Sequence, residues 1–245
     1  ANPIRHNSPN SSSTKLFELF QKTSFAMANQ DWRHYLNGCL FEKTENALNM
    51  VATDAHRLAI FKSSLEGEGD FTGIIPRKTV IELMKILPKQ DGDIEFYINT
   101  NNIVFMSKKF TFKSKLIDGN YPNYNQVVPQ GEGSKITFNR KNMLDSLSRV
   151  SVLTSEKFKG VKLKVDSGVL DISAHNPDQE SAEEKLDVTG ASGDFDIAFN
   201  VNYLKEVLGT IDEEEISLVS FGSDKSALVE SGDTNQVLVL MPLLL

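Results

Sequence analysis

Ile75-Pro76-Arg77-Lys78-Thr79-Val80-Ile81-Glu82-Leu83-Met84-Lys85-Ile86-Leu87 reads as a strand end followed by a short amphipathic helix. Pro76 suits the first helical turn, where a missing N–H costs no hydrogen bond. Val80, Leu83, Met84 and Leu87 recur at helical spacing and make one apolar stripe. Arg77, Lys78 and Lys85 fall on the other side, with Glu82 the only acid before Leu87.

The same plan returns along the chain. Phe138–Leu147 lies 63 residues later, Phe199–Leu208 follows 61 residues after that, and Ser13–Phe20 sits 64 residues before the next copy. Four short helices at a nearly constant period signal an internal repeat, and the spacing leaves room for a helix and several strands in each copy. Those strands are visible as alternation. Leu48, Met50 and Ala52 alternate, as do Ile94, Phe96 and Ile98, then Ile103 and Phe105, then Phe110 and Phe112. In the second half Val161, Leu163 and Val165 answer Leu170, Ile172 and Ala174 across the turn Asp166-Ser167-Gly168. Each copy is a helix plus about four strands, and two copies make a domain. The fold class is α+β: two similar domains, each a pair of helix-plus-four-strand units, with helices on one face and antiparallel sheets on the other. Residues 1–13, rich in Asn, Ser and Pro, read as a flexible leader, with Ser12, Ser13 or Thr14 as the first helix cap. The breaker Pro129–Gly133 places the boundary between a domain at 14–129 and one at 130–245.

The charge balance is uneven. The formal net charge is −7, which by itself argues against a nucleic-acid partner. Yet residues 13–26, 76–88, 139–152 and 200–211 together carry +5, so the remainder carries −12. If these helices share a face, that face suits a polyanion; the alternative is ordinary mixed surface charge. Glu183-Glu184 and Glu213-Glu214-Glu215 read as solvated acidic surface, with a partner-binding face as the alternative. The single cysteine, Cys39, excludes an internal disulfide, fits a reducing compartment, and sits among apolar residues as a small core side chain. No apolar run is long enough to cross a membrane, and residues 1–13 show no signal-peptide pattern.

Enzyme signatures are missing. There is no G-x-S-x-G, no glycine-rich phosphate loop, no H-E-x-x-H and no cysteine cluster, and His6, His34, His56 and His175 are scattered. No cofactor or metal is implied, and the pair Asp54 and His56 has no nucleophile beside it. Two constellations remain. One is the basic helix face, extended by Gln30, Arg33, His34 and Tyr35, where Arg beside aromatic residues can hold backbone phosphates. The other is apolar: Leu36, Leu58, Val127, Val239, Leu240, Met241, Pro242 and Leu243, which could line a shallow groove for a partner peptide or simply finish the core.

At these residues the chain resembles the bacterial sliding clamp family, the DNA polymerase III beta subunits. The resemblance is carried by Asp31-Trp32-Arg33-His34-Tyr35-Leu36-Asn37-Gly38, Ala52–Ala59, Ile75-Pro76-Arg77-Lys78, Ser114–Gly119, Glu156–Val161, Asn176-Pro177 with Glu183-Glu184, and Met241-Pro242. Clamps of this family have three similar domains, and two chains form a ring around duplex DNA. This sequence resembles the second and third domains. The resemblance implies a non-enzymatic, cytoplasmic processivity factor that tethers the polymerase III catalytic subunit, the clamp loader and other proteins bearing a clamp-binding motif. The alternative is a clamp fragment that binds peptides without encircling DNA. It assigns DNA contact to Gln30, Arg33, His34, Tyr35, Arg77, Lys78, Lys85, Arg140, Lys141 and Arg149. It assigns a partner-peptide pocket to Leu36, Thr53, Ala55, His56, Arg57, Leu58, Pro122, Val127, Phe158, Asn200, Tyr203, Ser226, Val239, Leu240, Met241, Pro242 and Leu243. Ala55 stands where the family usually has glycine. Val152, Leu153, Glu180, Glu183 and Glu184 match a ring-closing face.

Overall fold

The computed structural model describes residues 10–65, 69–190 and 195–244. It divides into two units, one holding the described residues up to Asp54 with Leu58–Pro122, the other Ala55–Arg57 with the described residues from Asn123 onward. This division falls ahead of the Pro129–Gly133 breaker, because Tyr124 is buried in a short 3-10 turn that belongs to the second unit.

In the first unit, β1 (Asn10–Ser12) leads into α1 (Ser13–Gln21), followed by β2 (Gly38–Thr44), β3 (Ala47–Thr53) and β4 (Arg57–Ser64). A second pass gives β5 (Phe71–Pro76), α2 (Arg77–Ile86), β6 (Asp93–Ile98), β7 (Asn102–Met106) and β8 (Thr111–Lys115). Most of the leader read over residues 1–13 lies outside the described residues, but Asn10–Ser12 is a strand, paired antiparallel with β6. Pro76 is not in the first helical turn. It ends β5 at φ −59° and ψ 146°, as the residue before the helix.

The second unit repeats the order: β9 (Ser134–Asn139), α3 (Arg140–Val150), β10 (Gly160–Asp166), β11 (Val169–His175) and β12 (Ser181–Asp187), then β13 (Asp196–Asn200), α4 (Val201–Gly209), β14 (Glu215–Ser220), β15 (Ala227–Glu230) and β16 (Gln236–Leu240). The strand pairings within each unit are antiparallel.

The copies are interlocked. Strand β1 joins β6-β7-β8, whereas β5 joins β2-β3-β4; likewise β9 joins β14-β15-β16 and β13 joins β10-β11-β12. The strand that opens each copy therefore completes the sheet of the other. A backbone bond recurs at each exchange. The first helical N–H donates to the carbonyl just before the partner sheet begins: Ser13 to Gly92, Arg77 to Asn37, Arg140 to Glu214 and Val201 to Lys159, at 2.8–2.9 Å. Three helices add a side-chain cap, from Ser12, Asn139 and Asn200.

Within each unit the two helices lie against each other and pack on the sheets. Leu16, Leu19 and Phe20 of α1 and Val80 and Leu83 of α2 are buried. The first unit's two sheets meet through Phe41 and Phe71 on one side and Phe96 and Phe105 on the other, with ring centroids 5.2–6.5 Å apart. Burial of each such ring stabilises by about 2–3 kcal/mol before the offsetting entropy of ordering. Cys39 is buried, as its apolar neighbours require, and desolvation of the thiolate pushes its thiol up to about 12.

Candidate functional site

The loop before β2 carries the first group of candidate residues. Asp31 N–H donates to Asn37 Oδ1 at 2.9 Å, and Asn37 Nδ2 returns a bond to the Asp31 carbonyl at 2.8 Å. Arg33 donates to the Asp31 carboxylate from its backbone N–H, Nε and Nη2, at 2.8–3.0 Å. This pairing holds the Arg33 guanidinium above its ordinary value. Gln30 and His34 are exposed, Arg33 and Tyr35 half-buried, and Leu36 packs inward. Arg77 fastens the loop to α2, through its backbone bond to Asn37 and through Nη1 to the Met27 carbonyl at 3.5 Å.

The cations read along the helices are not equivalent. Lys22, counted on the first helix, is 5% exposed, so its charge lies inside the unit. Lys85 pairs with Glu82 at 3.0 Å and Lys141 with Asp145 at 3.2 Å, both on open helix surface. Arg140 Nε donates to the Glu213 carbonyl at 3.2 Å. Arg149 is held by both oxygens of Glu184, at 2.8 and 2.9 Å. The same hydrogen bonds hold the Glu184 carboxyl below its usual range and raise the Arg149 guanidinium. Lys78 is exposed and, among the described residues, has no ion pair.

The residues read as a peptide pocket divide between the units. In the first, Leu36 and Leu58 are buried, Thr53 and Leu58 face each other across β3 and β4, and Pro122 is exposed. In the second, several come together. The His56 ring stacks on Tyr203 with centroids 5.6 Å apart, and the Arg57 guanidinium carbon stands 4.2 Å from the same ring. Arg57, only 8% exposed, closes on Glu206 at 2.6 Å. Asn200 caps the helix that presents Tyr203. Met241 N–H donates to the His56 carbonyl at 2.9 Å, Ser226 Oγ reaches Met241 Sδ at 2.7 Å, and Leu243 N–H donates to the Ala198 carbonyl at 2.8 Å. Val127, Phe158 and Met241 leave apolar surface open, while Val239 and Leu240 are core. The tail is thus stitched down as far as Leu243. Ala55 holds φ +72°, the left-handed region that favours glycine. His56 is committed to Tyr203, and among the described residues no group of three or more His, Cys, Asp or Glu side chains could hold a metal ion.

Of the residues read as a ring-closing face, Val152 is 80% exposed, and Glu180 and Glu183 point to solvent. Glu184 is the carboxylate that holds Arg149, so one residue read as interface engages one read as DNA-facing. Strand β12, which carries Glu183 and Glu184, ends its sheet. The sequence reading missed a groove of about 1210 Å³ in the second unit, lined by Lys135, Glu213, Glu215, Glu230 and Gln236 among others. Glu213 belongs there rather than to fully solvated surface: its Oε2 is buried and has no hydrogen-bond partner among the described residues. Only alternation in β9, β14 and β15 hinted at that face.

Duplicated helix–strand units of this order are the architecture of DNA sliding clamps. A crystal structure of the sliding clamp from Pseudomonas aeruginosa bound to griselimycin matches with a TM-score of 0.93 and 38% identity, over 100% of this chain and 67% of that one. The family model for the DNA polymerase III beta subunit central domain matches residues 11–123, and that for its C-terminal domain matches residues 125–244. The chain belongs to the DNA polymerase III beta subunit family. It is 40% identical to the beta sliding clamp of Pseudomonas aeruginosa over 233 residues, 94% of this chain and 64% of that protein. It is 38% identical to that of Escherichia coli over 227 residues, 92% of this chain and 62% of that protein.

Proposed function

We propose that the chain works as a DNA sliding clamp, a non-catalytic processivity factor that tethers the replicative polymerase, the clamp loader and repair proteins to duplex DNA in the bacterial cytoplasm. The observation that supports this most is membership of one family across both units, residues 11–123 and 125–244. The helix cations supply phosphate contacts without reading bases, and such loose contacts permit sliding. The partner site is the surface around His56, Tyr203, Ser226 and Met241, open at Val127 and Phe158. That a relative binds griselimycin fits a ligand site in this family. Val152, Leu153, Glu180 and Glu183 form the face that meets another domain in a closed ring.

Encirclement is tested by gel filtration with nicked circular plasmid and with the same plasmid linearised. The chain is expected to co-elute with the circle and to be lost from the linear form, because a ring slides off free ends. Equal retention on both refutes it.

A further inference from the structure

Trp32 is the chain's single tryptophan, and it is 82% exposed. Its loop is rigid. The paired Asp31–Asn37 bonds, the three Arg33 bonds to Asp31 and the Ala28 N–H bond to the Leu36 carbonyl at 3.0 Å fix both its flanks. A built frame therefore holds a large, flat, apolar ring out in water, where a collapsed ring would be more stable. The Arg33 guanidinium carbon stands 5.7 Å from the ring centroid, so the indole already has a cation at its face. The bonds from Arg77 to Asn37 and Met27 tie the loop to the helix start that bears Arg77 and Lys78. The acids that act on Arg33 are Asp31, which it engages, and Asp54, whose charge reinforces the protonation of Arg33.

A flat apolar face beside several cations matches a nucleotide, which joins a planar base to an anionic phosphate. A paired duplex keeps its base faces inside its own stack, so an indole would meet only edges and sugars. An unpaired base offers its whole face. We propose that Trp32 is a stacking platform for an unpaired base of single-stranded nucleic acid, with Arg77 and Lys78 receiving the adjoining phosphates. The stacking face of Trp32 is what separates this site from duplex binding, since Arg77 and Lys78 can serve either, and it would hold the strand that emerges where a duplex ends.

Because no other tryptophan contributes, emission from the intact chain reports this site alone. Titration with a short oligothymidylate is expected to quench it, and a blunt duplex of matched phosphate content to leave it nearly unchanged. Trp32→Ala should weaken oligothymidylate binding, read by anisotropy of a labelled strand, by about fivefold or more, while Trp32→Phe retains most of it. Absent quenching, equal quenching by the duplex, or an unaltered affinity in Trp32→Ala overturns the proposal. If duplex binding proves absent while the oligothymidylate still quenches, the clamp reading fails and the stacking site stands.

Discussion

Removing Glu184 should strengthen binding of duplex DNA and steepen its salt dependence. Arg149 sits on α3 with Lys141 about two turns away, but its guanidinium is clasped by both Glu184 oxygens. A cation so held releases little when phosphate arrives, since it exchanges one anion for another. In Glu184→Ala the same arginine would be freed. Each phosphate neutralised contributes a slope of about −0.9 in log K against log salt, so one added contact changes affinity by about 3.5-fold more between 50 and 200 mM salt. Arg149→Ala in the otherwise unaltered chain should leave the slope nearly unchanged, whereas Lys78→Ala should reduce it by about 0.9, because Lys78 is exposed and unpaired among the described residues. The assay is fluorescence anisotropy of a labelled duplex over a salt series. Glu183→Ala is the control: it deletes a neighbouring exposed carboxylate that does not hold Arg149. An equal gain from Glu183→Ala and Glu184→Ala would show that only net charge mattered. A slope loss in Arg149→Ala as large as that in Lys78→Ala would refute the claim that Glu184 withholds this arginine. The pairing has a pH signature as well. Glu184 is depressed in the folded chain, so its stabilising contribution is complete above the ordinary carboxylate range and is lost as pH falls through the lowered value.

Truncation before Met241 removes the bond to His56 and the Ser226 contact, and should abolish peptide binding at the proposed partner site by calorimetry while the circular dichroism spectrum is retained; undiminished affinity would exclude the tail from the site. Ala55→Gly relieves a left-handed alanine worth about 1–2 kcal/mol of strain, offset by the freer unfolded chain, for a net gain of about 0.5 kcal/mol in urea denaturation. A loss of stability there would mean the Cβ of Ala55 makes contacts that outweigh its strain. Cys39, with its thiol pushed up to about 12 by burial, should resist a thiol reagent at neutral pH until denaturant is added; rapid labelling of the native chain would contradict that burial.

The repeat, the helices and the strand alternation were legible because each is a short-range pattern. Val80, Leu83 and Leu87 recur at the pitch of a helix, and Phe96 and Ile98 at that of a strand, whatever surrounds them. The family followed from motifs such as Asp31–Gly38 in the same local way. Tertiary structure alone decided the exchange of opening strands, since Asn10 pairs with Glu95 through backbone groups that every residue possesses. It also decided which cations remain open. A formal charge says nothing of the partner that folding places beside it: Arg149 meets Glu184 from 35 positions away, and Lys22 is drawn inside. Local sequence sets what a segment becomes, while the electrostatic value of its side chains depends on distances that exist only once the chain has closed on itself.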